Sequence, residues 1–298
     1  MPAPSRLLIP STFEGRRLPH PDEPVFDQGL AFDVETLLSR RQLLRAMGYG
    51  AVGAGLFSLV GCGPAISSAT PGVTSGTTVA ASGAGAAECT TIPEETAGPY
   101  PGDGTNGPDV LNQSGVVRAD IRSSFGSSTT VASGVPLTIR LAILDLAKSC
   151  TPINGAAVYL WHCDQAGRYS LYSQGAQNEN YLRGVQAAGA DGIVTFTSIF
   201  PACYSGRWPH IHLEVYPSLG EATDAGNKIA TSQIALPEDI CNQVYATSGY
   251  EQSVQTLAGV SLARDTVFGD DGGVHELGAM SGAIASGLTV NLSVPVRA

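Results

Sequence analysis

Positive charge is scarce in this 298-residue sequence, which has 16 Lys and Arg against 26 Asp and Glu and a formal net charge of −10. Residues 1–62 carry six basic and six acidic side chains, so the excess of negative charge belongs entirely to residues 63–298. No basic stripe with interleaved aromatic residues is present. Such a surface repels phosphate backbones, which argues against nucleic acid as a partner and favours a small-molecule ligand.

Long apolar runs and internal repeats are also missing. The apolar stretch Ala46–Val60 is rich in glycine and shorter than the roughly 20 residues that a membrane-spanning helix needs. It follows Arg40 and Arg41, and paired arginines before an uncharged run are typical of a twin-arginine export signal. The alternative is a buried core helix. The pattern favours export, to the periplasm or the cell surface.

The residues after this stretch have little complexity. Leu59–Cys62 resembles the lipobox at which bacterial lipoproteins are cleaved and acylated, so any membrane contact is predicted to be a lipid anchor at Cys62. The alternative is an ordinary cleavage site beside a chance cysteine. Residues 63–88 are almost entirely Gly, Ala, Ser, Thr, Pro and Val, which is typical of a flexible tether. We therefore divide the chain into a leader (1–62), a flexible linker (63–88) and a globular domain (89–298).

Cysteine is sparse, with six residues in the whole chain. The five that follow Cys62 are Cys89, Cys150, Cys163, Cys203 and Cys241. In an oxidising compartment this number predicts one or two disulfides, with a thiol left over. The sequence alone does not assign the pairs.

Short β-type runs separated by Gly, Pro and Asn dominate residues 89–298. Within Val135–Leu146 every second residue from Leu137 to Ile143 is apolar, as a half-buried antiparallel strand requires. Further strands are predicted at 156–163, 192–200, 210–216, 229–236 and 288–296, and short helices at 237–247 and 250–257. The sequence therefore predicts an all-β fold.

Two histidines stand out in the predicted strand 210–216. Side chains alternate along a strand, so His210 and His212 point to one face while Ile211 fills the core behind them. Taken alone, a His-x-His pair is more often structural than metal-binding. Tyr204 lies in a turn-rich link six residues upstream of His210, and Tyr169 lies just past another predicted strand. With ten tyrosines in the chain, spacing does not select these two.

The order of several short segments resembles that of the intradiol ring-cleavage dioxygenases, a family that includes catechol and protocatechuate dioxygenases and exported single-domain relatives. The segments, which together span most of residues 89–298, are Pro93–Tyr100, Val117–Arg122, Trp161–Asp164 with Gly167–Tyr169, Leu182–Gly184, and Tyr204–Arg207 running into His210–His212. The resemblance implies an antiparallel β-sandwich with long loops and a few short helices.

The resemblance also implies a metal site. Its ligands to one non-haem Fe(III), completed by water or hydroxide, would be Tyr169, Tyr204, His210 and His212. Two phenolates are hard anionic donors that suit a trivalent ion, whereas zinc more usually takes Cys, His and carboxylate. Arg207 matches the family's arginine beside the substrate ring, where a cation stabilises developing negative charge; without the family context, a surface salt bridge is an equal alternative.

Further expectations follow from the same resemblance. Gln233 is the best match to the side-chain amide that, in the family, lies near the metal without binding it. The connection 217–228 that precedes it is longer than usual. The implied reaction opens a catechol-type ring between its two hydroxylated carbons, with O2 as co-substrate and a cis,cis-muconate-type diacid as product. The catechol binds as a dianion, and Tyr204 leaves the metal to become a base for a substrate proton while Tyr169 stays bound. No nicotinamide or flavin is needed.

Two alternatives remain. An exported β-sandwich binding module would capture phenolics, carbohydrate or iron without turnover, but it has no need of two phenolates aimed at two imidazoles. A zinc hydrolase would use His210 and His212, but no convincing general-base carboxylate accompanies them. The sequence lacks the helical dimerisation domain of catechol dioxygenases, and the link between Tyr204 and His210 is short. The sequence is therefore compatible with several catechols as the natural substrate, and with either a monomer or a homo-oligomer.

Overall fold

The computed structural model describes residues 12–13, 16–17 and 89–298. The chain divides into two units, Met1–Ala87 and Glu88–Ala298. In the first unit, β1 (Thr12–Phe13) pairs antiparallel with β2 (Arg16–Arg17). The predicted export signal, Cys62 and the predicted linker all lie outside the described residues.

Two β-sheets make up the second unit, so the predicted all-β sandwich is confirmed. One sheet has the order β10-β11-β3-β4, with β7 also paired to β3, and the other has the order β6-β5-β8-β9. The strands are β3 (Pro136–Asp145), β4 (Thr151–Pro152), β5 (Ala157–Trp161), β6 (Arg183–Ala187), β7 (Ile193–Ile199), β8 (His210–Tyr216), β9 (Ala230–Ala235), β10 (Ala279–Ala283) and β11 (Gly287–Val296).

The hydrophobic core lies between the two sheets. Along β3, Leu137 and Ile139 are buried while Arg140 is exposed, which is the alternation read from the sequence. These side chains belong to the same buried cluster as Ile211 and Leu213 of β8. Each sheet thus contributes one apolar face to the core, as in other β-sandwiches.

One strand pairing departs from the antiparallel prediction. β11 runs parallel to β3, from Leu288 opposite Leu137 to Val296 opposite Asp145. Alternation of apolar residues predicts a strand but not its direction. Parallel neighbours need a long stretch of chain between them, and residues 146–286 separate β3 from β11. Strands β6 and β10 were not predicted, because each is only five residues long and contains glycine.

Short helices follow β9, close to the predicted positions. They are α1 (Glu238–Tyr245) and α2 (Glu251–Ala258). Among the described residues no helix combines the length and the apolar composition that crossing a bilayer requires. One disulfide joins Cys89 to Cys150, with Cα atoms 5.8 Å apart. Within residues 89–298 this single disulfide leaves three thiols, all of them buried: Cys163, Cys203 and Cys241.

A row of four neighbouring residues crosses the second sheet. Arg183 on β6 is paired with Trp161 on β5, and Trp161 is also paired with His212 on β8. His212 is in turn paired with Gln233 on β9. Cross-strand partners project to the same side of a sheet. Since Ile211 projects into the core, this row stands on the opposite face.

Candidate metal centre

Two phenol oxygens and two imidazole nitrogens meet on this face. Tyr169 Oη lies 3.3 Å from Tyr204 Oη, 3.4 Å from His210 Nε2 and 3.2 Å from His212 Nε2. His210 Nε2 lies 3.1 Å from both Tyr204 Oη and His212 Nε2. The structure therefore brings all four predicted ligands together.

These separations fit a single metal ion. Four ligand atoms placed tetrahedrally at about 2.0–2.1 Å from an ion lie about 3.3–3.4 Å from one another, and the five separations above span 3.1–3.4 Å. No group of three or more His, Cys, Asp and Glu side chains within residues 89–298 could hold a metal ion. The tyrosines are therefore essential members of the donor set.

Strand β8 positions the two histidines. His210 Nδ1 lies 2.5 Å from the carbonyl oxygen of Trp208, which leaves the Nε2 lone pair facing the centre. His212 Nδ1 has no hydrogen-bond partner among the described residues. Its ring instead stacks on Trp161, with planes 5° apart and centroids 4.8 Å apart. One imidazole is thus oriented by a hydrogen bond and the other by a stacked ring.

A tight turn after β5 positions Tyr169. Asp164 Oδ1 accepts hydrogen bonds from the backbone N–H groups of Ala166 and Arg168, and Asp164 Oδ2 pairs with the Arg168 side chain at 2.8 Å. Gly167 has a φ of +79°, a conformation that glycine adopts without steric cost. The turn closes on itself, and the next residue, Tyr169, points its phenol at the histidines.

Tyr204 enters the centre from the loop before β8. The N–H of the preceding residue, Cys203, donates to Ser253 Oγ on α2 at 3.0 Å, so the helix holds this loop in place. Gly206 has a φ of +84° and reverses the chain toward β8. As a residue Tyr204 is only partly buried, whereas Tyr169 is fully buried. The centre therefore opens to solvent on the Tyr204 side.

Burial sets the ionisation of the four groups. It raises the pKa of Tyr204 to about 12 and that of Tyr169 well above its usual range. It lowers the pKa of His210 to about 3, with a further contribution from Arg207, and it lowers that of His212 well below the usual value. Without a cation the protein presents two neutral imidazoles and two un-ionised phenols. A bound cation would favour the phenolates, so the donor set fits a metal ion.

Arg207 is fixed beside the centre on two sides. Its Nε lies 3.1 Å from Asp265 Oδ2, and its Nη2 donates to Gln233 Oε1 at 2.7 Å. Gln233 Nε2 donates in turn to the carbonyl oxygen of Thr96 at 2.8 Å. The Asp265 side chain is fully buried, so this is a buried ion pair rather than a surface salt bridge. Gln233 is hydrogen-bonded to Arg207, and among the described residues it makes no hydrogen bond to the four donor atoms.

Residues 96–101, here called the cover segment, lie over the centre. Gly98 has a φ of +68°, and a Cβ at this position would be 3.3 Å from His212 Cε1. The ring of Tyr100 packs on that of Tyr169 with centroids 4.8 Å apart. The backbone at Gly98 thus approaches one ligand while an aromatic ring covers another, and both contacts exclude water.

Arg183 anchors the end of the cover segment. Its Nη1 donates to the carbonyl oxygen of Pro101 at 2.7 Å, and Tyr159 Oη donates to the same oxygen at 2.6 Å. Arg183 Nε and Nη2 donate to the side chain and carbonyl of Ser170, both at 3.0 Å. One buried guanidinium thus links the cover segment to the turn that carries Tyr169.

Three other titratable side chains, His162, Glu214 and His275, do not join the centre. His162 is buried with its Nε2 2.6 Å from Ser198 Oγ, and burial lowers its pKa to about 4. Glu214 is buried, and it pairs with Lys228 at 3.0 Å. His275 lies half-buried in the loop 271–278.

Sequence reasoning missed four contributors to this site: Trp161, Arg183 and Asp265 had been given no role, and the cover segment had been read only as a motif. The neighbour relation of Trp161 and His212 follows from strand register, which alternation alone does not supply. Asp265 is 58 residues from Arg207 along the chain, and no local pattern signals such a pairing.

Glu276, which was also missed, is buried near Ser232. Its pKa is raised to about 9, mainly by burial and to a smaller extent by repulsion from Glu95 and Asp271.

Comparisons with known proteins support the family resemblance. A family model described as Dioxygenase matches residues 106–221, a range that contains all four donor residues. Chlorocatechol 1,2-dioxygenase from Rhodococcus opacus is 39% identical over 56 residues, which are 19% of this chain and 22% of that protein. The matched segment therefore spans about a fifth of that relative's length.

Solved structures extend the likeness to the whole domain. An intradiol ring-cleavage dioxygenase from Tetranychus urticae superposes with a TM-score of 0.55 at 24% identity, covering 70% of this chain and 95% of that one. A second dioxygenase crystal structure gives a TM-score of 0.56 at 25% identity with the same coverage. Both support the sandwich fold.

Proposed function

Since the chain belongs to the intradiol ring-cleavage dioxygenases, a family of oxidoreductases, we propose that residues 89–298 form an Fe(III)-dependent enzyme. It opens a catechol-type ring between the two hydroxylated carbons and incorporates both atoms of O2. The product is a cis,cis-muconate-type diacid. We infer the catechol-type substrate from the family, and the ferric ion from the family and the set of donor atoms.

One observation carries the proposal: four oxygen and nitrogen donors from three separate parts of the chain converge, with five of their pairwise distances between 3.1 and 3.4 Å. A binding module has no need for such an arrangement. Two phenolates offset two of the three charges of a ferric ion, which favours the trivalent state over zinc. Tyr169, Tyr204, His210 and His212 would hold the ion.

A bound ferric ion supplies Lewis acidity and an electron acceptor for the aromatic ring. The protein positions the reactants and moves protons. Tyr204 is the ligand on the exposed side, so its phenolate oxygen is placed to take a proton from an entering catechol hydroxyl. Tyr169 is enclosed by Tyr100 and His212, and it stays in place. The division of roles follows from the difference in exposure.

Arg207 and the cover segment complete the pocket. Arg207 Nε and Nη2 are held by Asp265 and Gln233, while Nη1 makes no hydrogen bond to a described residue. This nitrogen is available to donate to an oxygen on the ring, where it would stabilise negative charge that develops during cleavage. Gly98 and Tyr100 keep water from the inner side of the centre.

The experiment begins with the colour of the purified protein. Iron-loaded protein should show a visible phenolate-to-iron(III) charge-transfer band, and the band should shift when catechol is added under nitrogen. Admission of ¹⁸O2 should then yield a muconate that carries both labelled atoms. A colourless iron-replete sample would contradict the metal site. A colour shift without any product would favour the alternative of a module that binds phenolics.

We further propose that the protein is exported and anchored through Cys62. The paired arginines before the apolar stretch Ala46–Val60 support export, and the Cys89–Cys150 disulfide suits an oxidising compartment. Mass spectrometry of the mature protein should find an acylated Cys62 as its first residue. A mature chain that still carries residues 1–62 would refute the anchor.

A further inference from the structure

The charged groups around the centre form a small set. The charge of Arg207 influences the pKa of all four donor groups. The charge of Asp265 influences the pKa of Tyr204 and His210, and that of Arg183 influences the pKa of His212. A substrate at the centre meets the same charges, because it occupies the same space. The question is therefore how much positive charge these three side chains leave for an anionic substituent on the ring.

Arg183 offers no positive charge to an anionic substituent on the ring. It is 1% exposed, and Nε, Nη1 and Nη2 all donate to neutral oxygens: Ser170 Oγ, Pro101 O, Tyr159 Oη and Ser170 O. Its position beyond Trp161 in the row across the sheet places it behind His212. A substituent entering on the Tyr204 side does not contact it.

Arg207 is neutralised by Asp265. The two side chains form an ion pair at 3.1 Å, with the carboxylate fully buried and the guanidinium 15% exposed. Asp265 is itself fixed by the backbone N–H groups of Trp208, Val267 and Phe268 at 2.6, 2.8 and 3.2 Å. Burial opposes ionisation of Asp265, but Arg207 and these hydrogen bonds hold its pKa below the usual value.

Asp265 thus provides a permanent anion rather than an exchangeable one. Its oxygens accept hydrogen bonds from both Arg207 and the backbone, so a substrate carboxylate cannot displace it without leaving three buried N–H groups unpaired. The surrounding protein adds to this effect, because residues 63–298 carry ten basic and twenty acidic side chains. The resulting field repels an approaching anion.

We propose that Asp265 is a specificity-determining residue, which by neutralising Arg207 makes the site select catechols that carry no ionised substituent. The inference rests on the proposed function and narrows its substrate class. A carboxylate on the ring would enter beside an arginine whose charge is already compensated. Neutral rings, including those with ester, ether or alkyl substituents, avoid this desolvation cost.

The first test uses the unaltered, iron-loaded protein and two probes that differ at one ring position: 3,4-dihydroxybenzoate carries an ionised carboxylate there, and its methyl ester carries an uncharged group. Dissociation constants are measured under nitrogen from the shift of the charge-transfer band, and kcat/KM from oxygen uptake. The ester should bind at least about tenfold more tightly, which is the effect of one charge contact within about 6 Å. Equal or tighter binding of the acid would overturn the inference.

The second test removes the anion with Asp265→Asn, which leaves the charge of Arg207 uncompensated. The preference for the ester should fall about tenfold or reverse. The matched control is Asp145→Asn, which removes another buried aspartate that pairs with a cation, Lys148 at 2.7 Å, in the other sheet. This control should keep the preference of the unaltered protein.

The outcomes separate the two proposals. If Asp265→Asn folds, takes up iron and keeps the original preference, Asp265 does not set specificity. If the variant does not fold, the comparison of acid and ester in the unaltered protein decides. A protein that responds to neither probe nor to catechol itself would refute the proposed function and this inference together.

Discussion

Trp161 and His212 are direct cross-strand partners whose rings lie almost parallel, 5° apart, with their centroids 4.8 Å from each other. Neither Trp161 Nε1 nor His212 Nδ1 has a hydrogen-bond partner among the described residues. The orientation of His212 therefore depends on ring stacking, whereas that of His210 depends on the Trp208 carbonyl.

Replacing Trp161 by leucine should weaken iron binding about 10- to 100-fold, the usual effect of losing a group that orients a metal ligand. Trp161→Phe keeps an aromatic ring against His212 and should retain most of the affinity. Both constants follow from competition with a chelator. Equal affinities in the two variants would show that stacking does not orient the ligand.

Replacing Tyr204 by phenylalanine should weaken the charge-transfer band and slow turnover by about 100-fold or more, because the proposed site would lose both a phenolate ligand and a proton acceptor. The control is Tyr245→Phe, which removes a buried hydroxyl that bonds to the Pro201 carbonyl. That variant should keep the spectrum. Unchanged colour and rate in Tyr204→Phe would exclude Tyr204 from the site.

A methyl group at Gly98 should disturb the centre directly, since it would lie 3.3 Å from His212 Cε1. We expect Gly98→Ala to lower iron affinity and shift the visible band. Gly126→Ala is the matched control, because Gly126 also has a positive φ, +76°, but nothing lies within 4 Å of the added atom. Similar losses in both variants would assign the effect to backbone strain alone.

Glu276→Gln should make the apoprotein more stable at pH 8. Burial, with repulsion from Glu95 and Asp271, raises the pKa of Glu276 to about 9 from a reference value of 4.5. The folded state therefore holds a proton that the unfolded state releases above pH 4.5. Stability from this group is fully present below that pH and is lost as the pH rises toward 9, by at most about 1.4 kcal/mol per pH unit.

Thermal melts of the apoprotein between pH 5 and 9 provide the measurement. The glutamine variant should lose less stability across this range than the unaltered protein. Glu221→Gln changes an exposed carboxylate and should leave the pH dependence as it was. Parallel pH profiles for Glu276→Gln and the unaltered protein would mean that Glu276 ionises in the folded state.

Local patterns in the sequence were sufficient for the strands that carry the histidines. The predicted strand 210–216 has the observed bounds of β8, and the shared face of His210 and His212 follows from alternation. Strand β9 and helix α1 differ from prediction by one or two residues at their ends. In each case the sequence pattern of consecutive residues contains the information.

Contacts between distant segments could not be read in this way. The parallel pairing of β11 with β3, the choice of Cys150 as the partner of Cys89, and the ion pair of Arg207 with Asp265 all join residues far apart in the chain. Hydrophobic periodicity does not encode partners. Tyr169 and Tyr204 were selected by family resemblance, and the structure supplies the physical reason: two separate turns direct both phenols at the same pair of imidazoles.

The disulfide between Cys89 and Cys150 also decides where mechanical force enters the domain. A pull on the chain upstream reaches Cys89 first and passes through the covalent bond into the turn that follows β3, in the larger sheet. Residues 92–101 lie inside the loop that this disulfide closes, so the covalent bond gives tension a path that bypasses the backbone over the centre. A pull from the N-terminal side therefore has a direct route into the larger sheet.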